Sequence, residues 1–168
     1  AGELTAEQPR DVTPGDRDAY PTSTTFSASQ DYCFSPDSSY LIFNAVPAVD
    51  ESWSTNYDLC RVPVSGGTVE TLTANNPAAD GLPVFSPDGT KLAWRAQRTA
   101  GYEADKWQIM IAECNADGSL ISNARSMTAD VDLSFDEIVW RSNNQIIAAA
   151  ESNGLKALFS LSLDAPNI

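Results

Sequence analysis

The sequence predicts an all-β fold, a partial β-propeller of four-stranded antiparallel blades, and three observations carry it. The phrase Phe34-Ser35-Pro36-Asp37 returns about fifty residues later as Phe85-Ser86-Pro87-Asp88-Gly89, and self-similarity at such a period marks a repeat architecture. Each copy sits between two short apolar segments. Pro presets the backbone of a tight turn and Asp, Gly or Ser completes it, so each copy reads as strand, turn, antiparallel strand. Finally, Gly, Pro, Asn and Asp interrupt the chain every ten residues or so, too often for helices.

The elements follow in order. In the first complete blade, 31–73, residues 31–34, 40–46, 57–64 and 69–72 read as four strands, the last pair joined by the turn Ser65-Gly66-Gly67-Thr68. The second blade, 81–129, repeats them at 81–85, 91–96, 107–113 and 124–128. A third, incomplete blade, 134–168, holds strands at 137–140, 145–150 and 157–163. Within 1–13, residues 9–13 echo 70–73 and are expected to form the outer strand of a preceding blade. The chain is thus expected to enter after three strands of one blade and to stop before the last strand of another. Its first residue, Ala rather than Met, points the same way, to processing or excision from something longer.

Both faces of these strands are apolar. Trp107, Ile109 and Ile111 point one way and Met110 and Ala112 the other, as in sheets covered on both sides by neighbours. In an up-and-down blade the tight turns 36–39, 65–68, 87–90 and 115–119 fall at one end. The long connections 14–30, 47–56, 75–80 and 97–106 fall at the other, where binding is expected.

Composition narrows the function. At 168 residues with 42% apolar content the chain can bury the core of one domain. No apolar run is long enough to cross a bilayer and no signal-peptide pattern opens the chain, so no membrane partner is expected; the compartment (cytoplasmic, periplasmic or secreted) stays open. A net charge of −13, from 23 acidic against 10 basic residues, offers no basic face for nucleic acid. There is no histidine, which excludes a Ser-His-Asp or Cys-His site and any His-containing zinc site within these residues. No Gly-x-Ser-x-Gly elbow, Walker loop or dinucleotide fingerprint is present, so no catalytic residue and no cofactor is expected here. Asp37, Asp88 and Asp117 lie in tight turns and read as turn formers rather than calcium ligands; Asp130, Asp132 and Asp136 read as solvated, and no metal is expected. Cys33, Cys60 and Cys114 lack metal-ligand spacing and read as buried free thiols, with a Cys33–Cys60 disulfide as the alternative in a secreted protein.

The stretches 57–67, 72–77 and 85–94, with Trp53-Ser54-Thr55-Asn56 and Gly101-Tyr102-Glu103-Ala104-Asp105, carry a family resemblance. On these residues the chain resembles the β-propeller of the prolyl oligopeptidase family of serine peptidases, in its dipeptidyl-peptidase and acylaminoacyl-peptidase branches. The resemblance implies a peptide substrate and two kinds of intramolecular partner: the remaining blades of a seven- or eight-bladed ring, and a catalytic α/β-hydrolase domain that lies outside these residues. It implies that a propeller carboxylate, Glu103 or Asp105, captures a substrate's free α-amino group; the alternative is a solvated loop acid balanced by Lys106 or Arg98. Tyr102 and Trp53 either wall the same cavity or pin their own loops. Arg17 either holds a substrate carbonyl or pairs with Asp16 or Asp18. The chain is therefore read as the non-catalytic propeller portion of a serine peptidase, gating and orienting peptides for the hydrolase domain. The alternatives are a TolB-type protein-binding propeller and an interaction module that closes its ring by oligomerising. A partial ring is also expected to expose an apolar face at each end, and so to self-associate.

Overall fold

The structure, a computed structural model, describes residues 8–20, 32–47 and 53–164. Among the described residues there are twelve strands and no helix. Three antiparallel sheets succeed one another along the chain. Sheet 1 holds β1 (Arg17–Tyr20), β2 (Tyr32–Phe34), β3 (Tyr40–Pro47), β4 (Asp58–Pro63) and β5 (Glu70–Thr71). Sheet 2 holds β6 (Asp80–Phe85), β7 (Lys91–Ala96), β8 (Gln108–Glu113) and β9 (Arg125–Ser126), paired in that order. Sheet 3 holds β10 (Phe135–Ser142), β11 (Gln145–Ser152) and β12 (Leu155–Ser162). This is the architecture of a partial propeller.

The repeated phrase builds the same turn twice. Asp37 Oδ1 accepts hydrogen bonds from Ser35 Oγ at 2.8 Å, Ser39 N at 2.9 Å and Ser39 Oγ at 2.6 Å. Asp88 Oδ1 accepts from Ser86 Oγ at 2.7 Å, Thr90 N at 3.1 Å and Thr90 Oγ1 at 2.9 Å. In each copy the serine hydroxyl also accepts the amide that opens the next strand, Tyr40 or Lys91. Ser38 takes a left-handed φ of 61° where the second copy has Gly89 at 69°, so replacing Gly by Ser leaves the turn intact at some steric cost.

Alternation places the core between sheets. Ile109 and Ile111 of β8 join Phe135, Ile138, Trp140, Ile146 and Leu161 in the cluster between sheets 2 and 3. Met110 and Ala112, from the opposite face of β8, join Leu59, Leu92 and Trp94 between sheets 1 and 2. A third cluster, Phe43, Ala45, Cys60 and Val62, lies on the far face of sheet 1. Phe34, Phe85 and Trp140 occupy equivalent positions, opposite Leu41, Leu92 and Ile146. Each faces the preceding sheet. Phe85 and Trp140 therefore pack inside, whereas Phe34, with no preceding sheet among the described residues, is 58% exposed.

Several expectations are corrected. Residues 9–13 form no strand: Pro9 has no amide to donate, and Asp11 Oδ1 accepts from Thr13 N at 2.8 Å, folding the backbone into a local turn. The stretch 14–30 is not loop throughout, because β1 pairs with the end of β3. Tyr20 lies opposite Asn44 and Tyr32 opposite the adjacent Phe43, so β1 and β2 occupy one strand track, interrupted by residues 21–31; that segment, including the rest of the expected loop, lies outside the described residues.

Cys33 pairs with Ile42 and Cys60 with Phe43, so the two thiols point to opposite faces of sheet 1 and form no disulfide. All three cysteines are free. Burial pushes Cys33 up to about 12 and Cys114 up to about 11, keeping both as neutral thiols. The two end faces also differ. Val139 and Leu158 leave the far face of sheet 3 exposed, at 61% and 76%, whereas the far face of sheet 1 buries its apolar cluster and leaves Phe34 exposed.

Candidate functional site

Topology gathers the candidate residues at one end of the sheets. The β3–β4 connection carries Trp53 and the β7–β8 connection carries Tyr102, Glu103 and Asp105. Both join a second strand to a third, so both emerge at the same end. Arg17 lies opposite Pro47, the last residue of β3, which places its backbone there too; its side chain lies outside the described residues. Two backbone bonds stitch this end together, Asp80 N to Tyr57 O and Gln97 N to Ala79 O, both at 2.8 Å.

The two candidate carboxylates have different surroundings. Asp105 is bound to its own loop: Oδ2 accepts from the amides of Arg98 at 3.0 Å and Thr99 at 2.7 Å, and Oδ1 from that of Lys106 at 2.9 Å. Desolvation works to raise its pKa, but these backbone donors outweigh it and hold the carboxyl below the usual range. Gln97 Nε2 donates to the carbonyls of Glu103 and Asp105, at 3.0 and 2.9 Å, which fixes the loop from beneath. The neighbour expected to balance these acids, Lys106, instead donates to the carbonyls of Ala129 and Val131.

Glu103, by contrast, is exposed, and its carboxylate makes no hydrogen bond or ion pair among the described residues. Its charge reaches the neighbouring sheet: Tyr57 has a raised pKa, first through burial and then through Glu103. Trp53 is 91% exposed and Tyr102 54%, so neither is a buried aromatic pinning its loop. An exposed acid next to Tyr102 in the chain, with the exposed Trp53 at the same end of the sheets, can receive an ammonium group and an apolar side chain.

Beneath this end lies a network with no counterpart in the sequence reading. Asp80 is 1% exposed. Its Oδ1 accepts from Trp94 Nε1 at 2.7 Å and its Oδ2 from Asn76 Nδ2 at 3.1 Å. Thr73 Oγ1 donates to Asp58 Oδ1 at 3.3 Å and accepts from Leu59 N at 2.9 Å. Burial pushes Asp80 up to about 7, and Asp58 is raised for the same reason. The available signal was an acid inside the apolar run 78–84, which must find partners if that run is buried.

No protein-family model matches the chain. It is 28% identical over 156 residues to dipeptidyl-peptidase 5 of Aspergillus oryzae, and 30% identical over 151 residues to that of Arthroderma otae. Each match covers 83% of this chain and 20% of the relative, so the chain spans about a fifth of the curated relatives' length. Among solved structures, a puromycin-hydrolyzing peptidase of Mycobacterium tuberculosis superposes with a TM-score of 0.62 at 21% identity, over 82% of this chain and 22% of that one. A puromycin hydrolase gives 0.65 at 18% identity with the same coverage. At these identities the structural likeness shows the fold. The likeness found is the one the sequence motifs implied, to the propeller portion of prolyl oligopeptidase-family peptidases.

Proposed function

We propose that this chain is the substrate-orienting propeller portion of a dipeptidyl-peptidase-like serine peptidase, and that Glu103 anchors the free α-amino group of the peptide. The observation that carries the reading is the contrast between the two loop acids. Asp105 saturates its oxygens on backbone amides and holds the loop, whereas Glu103 stands exposed, its carboxylate without a partner among the described residues, at the end where the long connections gather. An ammonium on such a carboxylate forms charge-assisted hydrogen bonds, and fixing the amino terminus fixes which peptide bond reaches a nucleophile. Trp53 and Tyr102 supply apolar surface for the first side chains. The nucleophile and its base belong to a hydrolase domain outside these residues, and the propeller's long-loop end faces it and gates entry.

The test uses the full-length protein encoded by the reading frame that contains these residues. Glu103→Gln should raise KM for free-amine dipeptide substrates by roughly tenfold or more, the worth of one charge-assisted contact, and leave N-blocked substrates little changed. Asp105→Asn should instead affect both classes alike, since it loosens the loop. Equal effects of Glu103→Gln on both classes would end the anchoring role.

A further inference from the structure

Sheets 1 and 2 enclose a cleft of about 620 Å³ near their outer strands, within the range that small-molecule sites occupy. Its origin is local. β5 and β9 are two residues long while β4 and β8, which they flank, are six, so the outer strands leave the space between the sheets unfilled. The inner wall comes from the sheet 2 face that looks at sheet 1: Trp94, Met110 and Gln108, with Leu72 and Leu120 beside them. Both walls belong to this chain, and every lining residue is described.

Two polar groups give the cleft a sign. Gln108 is 7% exposed; its Oε1 accepts from Ser126 Oγ at 2.8 Å, while its amide nitrogen, a donor only, has no partner among the described residues. Arg98 also lines the cleft and is exposed, and its guanidinium makes no hydrogen bond, ion pair or ring contact among the described residues. In a chain of net charge −13, a guanidinium and an amide donor lining one cleft, both without partners among the described residues, are a local reversal of the surface field. The one acid in the lining, Asp80, is already satisfied by Trp94 and Asn76 and is 1% exposed.

From these observations we infer that the cleft binds a small carboxylate with a compact apolar body, its carboxylate held by Arg98 and the Gln108 amide and its body packed on Leu72, Met110 and Leu120. The guanidinium supplies the planar fork that a carboxylate fits. The apolar wall rejects strongly hydrated anions such as inorganic phosphate, which cannot use it. Glu103 is not among the lining residues, and the inference stands whether or not the peptidase reading does.

The experiment is calorimetric titration of the full-length protein with 3-phenylpropanoate, its primary amide and inorganic phosphate. The carboxylate should bind with a Kd of about 1 mM or tighter, as expected for a ligand of its size, and the amide at least roughly tenfold more weakly. Arg98→Ala should weaken the carboxylate by about tenfold, and Gln108→Glu, which sets a like charge against it, should abolish binding with the melting temperature retained. Equal affinity for acid and amide, phosphate binding as tightly as the carboxylate, no effect of Arg98→Ala, or no heat from the carboxylate would each overturn the assignment.

Discussion

At the scale of single residues, the acids divide into two groups whose pH responses have opposite sign. Burial raises Asp80 to about 7 from 3.8, so the fold keeps a proton that the unfolded chain releases. Between those values the unfolded state binds fewer protons, and Asp80's contribution to stability is lost as pH rises through the folded value. Asp58, also raised, adds in the same direction. Asp88 and Asp117 are lowered to about 2, chiefly by the hydroxyls of Ser86 and Ser119. Their contribution is present above 3.8 and is lost as pH falls toward 2. Thermal melts should therefore show maximal stability at about pH 4 to 5, with a decline toward pH 8 that Asp80→Asn flattens. An unchanged decline in that variant would assign it to general charge repulsion instead. The turn acids Asp88 and Asp117 were legible in the sequence as turn formers; the burial of Asp80 was not read there. A buried acid and a solvated acid are the same letter, and only the enclosing sheets distinguish them.

At the scale of elements, the Ser-Pro-Asp turns were legible because their chemistry is local: each hydroxyl and carboxylate bonds within five residues. The turns also nest between sheets. Gly89 has φ +69°, and a Cβ there would lie 2.6 Å from Pro36 Cβ of the preceding copy. Gly89→Ala should therefore cost about 1–3 kcal/mol in denaturant unfolding, the combined charge for a left-handed backbone and a steric overlap; a cost near zero would mean that the two turns move apart freely. Arg61 ties the same sheets, bonding Glu70 at 2.7 Å within sheet 1 and Asp117 at 3.0 Å in sheet 2, and stacking on Tyr40.

Other elements escaped the sequence reading for physical reasons. The strand track shared by β1 and β2 pairs across an interruption of residues 21–31, and no local pattern reports a pairing so separated in sequence. The hairpin at Asn153 and Gly154, with φ of 52° and 76°, does carry a local signal, since Asn-Gly between apolar runs specifies a type I′ turn. In the candidate loop, residue types indicated an acid in a long connection. That Asp105 closes the loop while Glu103 stays free follows from the path of the backbone, which those types do not encode.

At the scale of the whole molecule, the two end faces behave differently. The far face of sheet 1 buries Phe43 and Val62, to 3% and 0% exposure, and exposes Phe34, while that of sheet 3 presents the more exposed Val139 and Leu158. The isolated chain should therefore self-associate through sheet 3, with an apparent mass that rises with concentration in sedimentation, and Leu158→Lys should return it toward a monomer. A wild-type monomer at all concentrations would show that this face needs no cover.

The central claim is that these residues orient substrate while catalysis lies elsewhere, as the absence of histidine from the chain requires of any histidine-based triad. The most direct test is to label the full-length protein with a fluorophosphonate probe and locate the adduct by peptide mass spectrometry, with the isolated chain labelled in parallel. The account predicts one reactive serine outside residues 1–168 and a silent isolated chain. An adduct on any serine of this chain, or a full-length protein that takes no label, would contradict it.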